Sequence, residues 1–298
     1  QAAAFSVLTA VAVEGGTRRR SGSALAGSLE RIGARVAANG GWEGTSVGLS
    51  CLAERLPEAL GLLAEMLLEP GFPEDEVERA REQQLATIRQ RAMDPSSIAT
   101  DAARLRYYVE GVPYARSVEG TEASVGAVGP AAMRGFAEAN YRPGSGGLVV
   151  AGDVEPREVV EMVERHLGGW SGAPAVEAAF TPEPASRERR VSIVHRPGAA
   201  QSEVRVGHVG APRSTPDYYP LSIANMVLGG MFTVRLNLNL RERNGFTYGV
   251  RSRFTFRAEA GPFEVSTAVG NDVTAAAVRE IVHERERLAT DGPTEDEV

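Results

Sequence analysis

The 298-residue chain contains no lysine, so all 32 of its basic side chains are arginine. This excludes Schiff-base chemistry, PLP attachment and a Walker-type phosphate lysine. With one cysteine, Cys51, no intramolecular disulfide can form, and its apolar neighbours mark it as a small core residue rather than a reactive thiol. Histidine is scarce as well: His166, His195, His208 and His283 are the only four, and the nearest pair is 208 − 195 = 13 apart. Neither H-x-x-x-H nor H-x-x-E-H can be assembled from them. No run reaches the roughly 18 apolar residues of a membrane span, because Glu, Arg or Gly interrupts the longest candidates. Nor is there a basic excess. The 39 acidic residues give a net charge of −7 and a pI near 5.4, which argues against a general nucleic-acid binder. What remains is ordinary globular composition, 43% hydrophobic and 24% charged, on a chain long enough for two cores.

The sharpest break in composition is Gly168-Gly169-Trp170-Ser171-Gly172-Ala173-Pro174, followed by a weakly patterned stretch through Pro182, Pro184 and Arg190. It divides the chain into a first domain at 1–172, a linker at 173–190 and a second domain at 191–298. Before the break, Leu25, Leu29 and Ile32 repeat with helical spacing and stop at Gly33, and Leu60, Leu63, Ala64 and Leu67 repeat between Pro57 and Pro70. Val47, Leu49 and Cys51 alternate as one face of a strand. A charged helix is predicted from Glu74 to Met93, ended by Asp94-Pro95. Leu148 to Ala151 reads as a buried strand, and Val159, Met162, Val163 and Leu167 as a helix face.

After the break, Val191 to Val194 and Val204 to Val206 read as strands, and a helix is predicted from Pro216 to Leu228, broken at Gly229-Gly230. A second helix ends at Asn244-Gly245. Phe263, Val265, Thr267 and Val269 alternate as a strand, and Val278, Ile281, Val282 and Leu288 mark a last helix. Both halves repeat helix, glycine stop, strand, strand, helix, with Gly33 answering to Gly245. The expected fold class is therefore α+β: two repeated domains, each a mainly antiparallel sheet with helices on one face. Thr294 to Val298 begins what reads as another helix, so the second domain is expected to be incomplete at its C-terminus.

Several motifs dissolve on inspection. Gly44-Thr45-Ser46-Val47-Gly48 matches G-x-S-x-G but enters a strand, where a nucleophile elbow needs strand, turn and helix. Arg18-Arg19-Arg20 in an acidic chain reads as a solvated turn rather than a nucleic-acid patch, and His283-Glu284 lies on a charged helix face. More informative is the segment from Leu236 to Val250. There Arg241, near a helix C-terminus, and Tyr248, beyond a glycine cap, can place a cationic fork beside a phenol donor.

That segment resembles the zinc peptidases of the pitrilysin/insulinase type. Likeness extends over Glu14 to Ser21, Leu29 to Ala34, Leu56 to Leu60, Tyr141-Arg142-Pro143, Gly152-Asp153-Val154 and Leu228-Gly229-Gly230. The resemblance implies a processing-peptidase-like fold, an inverted H-x-x-E-H zinc motif in the first half and an Arg/Tyr pair in a later half, here Arg241 and Tyr248. Anchored on Gly16-Thr17, the zinc motif falls on Val7, Leu8, Thr9, Ala10 and Val11, and the third acidic ligand falls on Thr87. Val7, Ala10, Val11 and Thr87 are thus degenerate metal positions, and no cofactor is expected in this chain.

By this resemblance the chain is expected to be the non-catalytic subunit of a bacterial two-chain metallopeptidase. A catalytic partner would bear H-x-x-E-H and zinc. This chain would form part of a chamber for peptide substrates and lend Arg241 and Tyr248 to the partner's site, in the periplasm, with no nucleic acid and no membrane span involved. The alternative is a purely structural or interaction protein of the same fold, like the family's core subunits in respiratory complexes.

Overall fold

The computed structural model describes residues 2–175 and 180–297. In chain order the elements begin with α1 (Ala2–Val13), α2 (Gly22–Arg31), β1 (Arg35–Gly40), β2 (Thr45–Ser50), α3 (Leu56–Leu68), α4 (Glu74–Met93) and α5 (Pro95–Tyr107). Next come α6 (Glu122–Gly126), α7 (Pro130–Asn140), α8 (Pro156–Leu167), β3 (Gln201–Val209) and α9 (Tyr218–Asn225). The series closes with α10 (Arg235–Asn237), β4 (Val250–Phe254), β5 (Pro262–Gly270) and α11 (Thr274–Asp291). Two compact units result, Gln1–Gln90 with Ser117–Ala179, and Arg91–Arg116 with Phe180–Val298.

In the first unit the helix ends follow from local chemistry. Ser21 accepts from the Ala24 N–H to open α2, and Pro57 sits in the first turn of α3. Thr121 and Ser124 form a reciprocal capping box at α6. The apolar faces meet in one core containing Leu8, Ala12 and Val13 of α1, Leu25 of α2, Leu62 and Met66 of α3, and Met133 of α7. Val36, Leu49 and Cys51 pack against it from the antiparallel β1–β2 hairpin or just beyond it. Burial pushes the Cys51 thiol up from its ordinary pKa, which fits a packing role. The arginine turn is ion-paired and exposed: Arg19 forks onto Glu69, with Nε to Oε2 at 2.7 Å, and Arg20 reaches Glu65 at 3.1 Å.

The second unit holds a three-stranded antiparallel sheet in the order β3-β5-β4. Val204, Val250, Phe263, Val265 and Val269 line one face and pack with Leu228, Leu236, Leu240, Ala277 and Ile281. Residues 91–116, which fall in the first domain of the sequence-based division, pack here because α5 is bonded to the sheet's polar face. Arg205 of β3 donates to Ser96 O and Oγ at 3.1 and 2.7 Å and to Thr100 Oγ1 at 3.3 Å, and Tyr107 donates to Glu264 at 2.9 Å. Within the expected linker, residues 176–179 lie outside the described residues.

Differences from the sequence reading have a common cause. Leu148 to Ala151 and Val191 to Val194 form no strand, and Val149 and Val191 are 91% and 88% exposed. β-branched runs fit a pleated, half-buried surface, and among the described residues no neighbouring strand provides one. Beyond Asn225 the chain passes into a π-helical turn, Met226–Gly230, and after a bend into α10 and a second π-helical turn, Leu238–Arg243. The whole of Tyr218–Arg243 is long and apolar enough in composition for a membrane span. Yet it bends at 231–234 and commits Leu228, Leu236 and Leu240 to the core. Gly33 and Gly245, the two helix stops matched in sequence, both adopt left-handed φ, 65° and 63°. Where a further helix is expected to start, Glu295–Glu297 is a 3₁₀ turn, and Val298 lies outside the described residues.

Gly229 is where the first π-helical turn meets β4. A Cβ there would stand 2.9 Å from the Ser252 backbone nitrogen and 2.8 Å from Leu236 Cδ1. Gly229→Ala is therefore expected to destabilise the chain by about 1–3 kcal/mol, the usual cost of overpacking. Urea denaturation checks this, and an unchanged midpoint would contradict the close approach.

Candidate functional site

Arg241 and Tyr248 flank a helix end and a turn that are fixed from several sides. Asn237, one helical turn before Arg241, turns its buried amide onto β4. Its Nδ2 donates to Val250 O at 2.9 Å, and Val250 N–H donates to its Oδ1 at 3.0 Å. One side chain thus satisfies both backbone groups of a sheet-edge residue, much as another strand would. Two residues later in the helix, buried Asn239 donates to Glu284 Oε1 at 2.7 Å and Glu280 Oε2 at 2.9 Å on α11, and accepts from Asn244 Nδ2 at 2.7 Å.

Left-handed Gly245 then reverses the chain, so that Phe246 N–H reaches Leu240 O at 2.8 Å and Gly245 N–H reaches Arg241 O at 3.0 Å. The turn that follows is clamped by threonines. Thr247 Oγ1 donates to Gly249 O (2.9 Å) and accepts from Gly249 N–H (3.1 Å), and Thr267 of β5 bonds both Thr247 Oγ1 and Gly249 O at 2.9 Å.

From this fixed backbone Tyr248 projects with 92% of its surface exposed and without a hydrogen bond to any described residue. Arg241, its side chain 35% exposed, lies with Cζ 4.4 Å from the Phe232 ring centroid and Nε 3.5 Å from Glu242 Oε1. No hydrogen bond or cation–π contact joins the two among the described residues. Both are presented outward, a guanidinium fork and a phenol donor, on a backbone held from beneath.

The start of this helix is anchored by an ion pair between a buried arginine and a half-buried glutamate. Arg235, 5% exposed, donates through Nε and Nη2 to Glu297 at 2.6 Å each, and through Nη2 to Gly292 O at 2.8 Å. These hydrogen bonds hold the Glu297 carboxyl down to a pKa of about 2.

The degenerate metal positions sit in the first unit. Ala10 is buried, Val7 half-buried and Val11 40% exposed on α1, and Thr87 is exposed on α4, its hydroxyl donating to Gln83 O at 3.1 Å. Valine and alanine have no lone pair to offer a cation, and a neutral threonine hydroxyl is a poor zinc ligand. These side chains do not fit zinc. Among the described residues no group of three or more His, Cys, Asp or Glu side chains is placed to hold a metal.

Family models match nearly the whole length: residues 10–122 match the insulinase family, peptidase family M16, and residues 127–298 match the peptidase M16 inactive domain. The chain belongs to peptidase family M16. A solved M16 inactive domain from Pseudomonas fluorescens superposes with a TM-score of 0.88 at 26% identity, over 99% of this chain and 71% of that one. A protease structure from Helicobacter pylori gives 0.87 at 19% identity, over 99% and 72%, a likeness of fold. By sequence the M16 chain is similar to an uncharacterized zinc protease of Mycobacterium tuberculosis, 28% identical over 94% of this chain and 64% of that protein. It is similar also to subunit 1 of the mitochondrial cytochrome b-c1 complex of Bos taurus, 26% identical over 72% and 44%. The chain thus spans about half to two thirds of the length of these curated relatives.

Sequence reasoning singled out Arg241 and Tyr248 but missed Asn237, Asn239, Thr247, Thr267 and Phe232, which hold or cover them. The available signal was the pair of asparagines in Leu236-Asn237-Leu238-Asn239-Leu240, polar residues inside a helix that buries Leu236 and Leu240 completely.

The Arg235–Glu297 pair gives a pH dependence of definite sign. Because the folded-state pKa of Glu297 is depressed, its stabilisation is full above the ordinary carboxylate value and is lost as pH falls from about 5 towards 2. Unfolding of the wild type and Glu297→Gln, compared at about pH 6 and pH 3, is expected to show a wild-type advantage that shrinks at the lower pH. An advantage equal at both would contradict the pairing.

Proposed function

We propose that this chain is the non-catalytic member of a zinc metallopeptidase, lending Arg241 and Tyr248 to a site whose metal and general base belong to a partner with H-x-x-E-H. The observation that carries this reading is the state of Tyr248: a large side chain left 92% exposed on a turn that four hydrogen bonds hold in place. An aromatic side chain on so fixed a backbone is arranged to meet something from outside the unit. M16 membership and the lack of any donor at Val7, Ala10 and Val11 favour a division of labour in which this chain supplies no metal chemistry.

In the proposed mechanism zinc, which the partner's H-x-x-E-H would hold, would provide an activated water. Tyr248 donates its phenolic O–H to the oxygen of the scissile carbonyl as that oxygen gains charge. Arg241 directs its guanidinium edge to a neighbouring substrate carbonyl and fixes the register of the peptide. Phe232, beneath the guanidinium, limits the directions in which that fork can point. Peptides are the proposed substrates.

The similarity to the bovine cytochrome b-c1 subunit favours a second reading, a structural subunit that touches no substrate. The two differ in what Tyr248 does. In the reconstituted two-chain complex, Tyr248→Phe is expected to lower kcat by on the order of 10²-fold while assembly is unchanged. Arg241→Ala is expected to lower kcat/KM, less than additively with Tyr248→Phe, because both groups hold one substrate. Wild-type kinetics for both variants in an intact complex would favour the structural subunit.

A further inference from the structure

The first unit contains a cavity of about 390 Å³ between the arginine turn, the end of α3, α7 and the glycine-rich break in composition at 168–174. That volume falls in the range of small-molecule sites. Its walls are of two kinds. Leu67, Leu68, Phe72 and Trp170 are apolar, whereas Arg18, Arg134 and Arg142 are cationic, and Glu138 is the single acid among the described residues that line it. This positive surplus stands in a chain whose net charge is −7. Neighbouring acids do not cancel it: Glu69, which lies in the field of Arg18, is forked by Arg19, and Glu65 is paired with Arg20. Arg134 Nη1 donates to Gly71 O at 3.0 Å, a neutral acceptor that leaves the charge in place. Among the described residues none of Arg18, Arg134 and Arg142 makes an ion pair.

Backbone bonds fix these walls. Gly71 N–H donates to Gly16 O at 3.0 Å and Arg18 N–H to Glu69 O at 2.9 Å. Phe72, 2% exposed, is held at a φ of 48°, a left-handed conformation that a bulky residue adopts only where its surroundings impose it. On the opposite strap, Trp170 N–H donates to Leu167 O at 2.8 Å and Ala175 N–H to Ser145 Oγ at 2.5 Å. A Cβ on Gly172 would stand 3.0 Å from Arg142 Nη1, so a glycine there lets the strap pass close to the guanidinium.

We propose that this cavity binds a small carboxylate with an apolar or aromatic body, Arg18 and Arg142 taking the carboxylate and Leu67, Leu68, Phe72 and Trp170 the body. A guanidinium fork matches the two oxygens of a carboxylate, and Arg134, engaged with Gly71 O, keeps further N–H donors to spare. The mixed lining chooses the occupant. A ligand without the anion would cover guanidinium groups and give them no partner, and one without the body would leave the hydrocarbon wall in water. The proposal does not depend on the reading of Arg241 and Tyr248, which lie in the other unit.

The test is isothermal titration calorimetry of this chain with N-acetylphenylalanine, N-acetylphenylalaninamide and acetate. The first two share a body and differ in charge, and acetate carries the charge without the body. N-acetylphenylalanine is expected to bind about tenfold or more tighter than either, with its margin over the amide narrowing as salt is raised. Trp42 and Trp170 are the two tryptophans of the chain, so the emission of Trp42→Phe reports on the cavity wall, and it is expected to change along the calorimetric binding curve. Arg18→Gln and Arg142→Gln are each expected to weaken the acid about tenfold and to leave the amide unchanged. Their melting curves are compared with wild type, and Arg18, on an exposed turn, decides the point if Arg142→Gln does not fold. Equal affinity for acid and amide would overturn the proposal, as would acetate binding as tightly as N-acetylphenylalanine. So would binding that leaves Trp170 emission unchanged, which would put the ligand elsewhere, or no binding of the acid up to millimolar concentration.

Discussion

The second unit depends on one side-chain amide. Asn237 bonds the N–H and the C=O of Val250, closing the edge of the sheet and tying the helix that carries Arg241 to the strand that follows Tyr248. Being buried, the amide cannot exchange these partners for water, and an unpaired edge group in its place would cost on the order of 1–3 kcal/mol. The remaining contacts build on this tie. Asn239 fastens the same helix to α11, Gly245 turns the chain, and the threonine pair sets the angle at which Tyr248 leaves the surface. Arg241 and Tyr248, on different elements, thereby acquire a fixed relation through the backbone that carries them.

The two units use α-helical surfaces in opposite ways. On α1, where the resemblance places a zinc motif, Leu8, Thr9, Ala10, Ala12 and Val13 are all nearly inaccessible, and only Val11 among residues 6–13 is exposed. Hydrocarbon fills the helix on nearly all sides, as in a helix kept for packing. In the segment 218–248 large apolar groups are left in solvent although the unit has a core able to bury Leu228, Leu236 and Leu240. Packing accounts for the first helix. Packing within the unit does not account for the second.

Much of this was legible in the sequence, where local chemistry decides structure. Helical spacing bounded by proline and glycine fixed α2, α3 and α4, the last from Glu74 to Met93 as read from its charges and Asp94-Pro95. Strand β5 followed from strict alternation. Legibility failed where structure depends on distant neighbours. Leu148 to Ala151 and Val191 to Val194 have strand composition without a strand beside them, and α5 joins the second unit through Arg205 and Tyr107, whose partners lie about a hundred residues or more away in sequence. At the site, the motif exposed the two outward groups. The asparagines and threonines beneath them were hidden because their importance lies in hydrogen bonds to Val250, Glu284 and Gly249 that no spacing rule reports.

The central claim is that chemistry and substrate handling are divided between two chains. It is tested most directly by purifying the tagged chain from its native host, identifying what accompanies it and measuring zinc in the purified material. The account predicts a second chain bearing H-x-x-E-H, zinc present in proportion to that chain, and peptide hydrolysis only when both are present. Recovery of this chain alone with tightly held zinc and chelator-sensitive peptidase activity would contradict it.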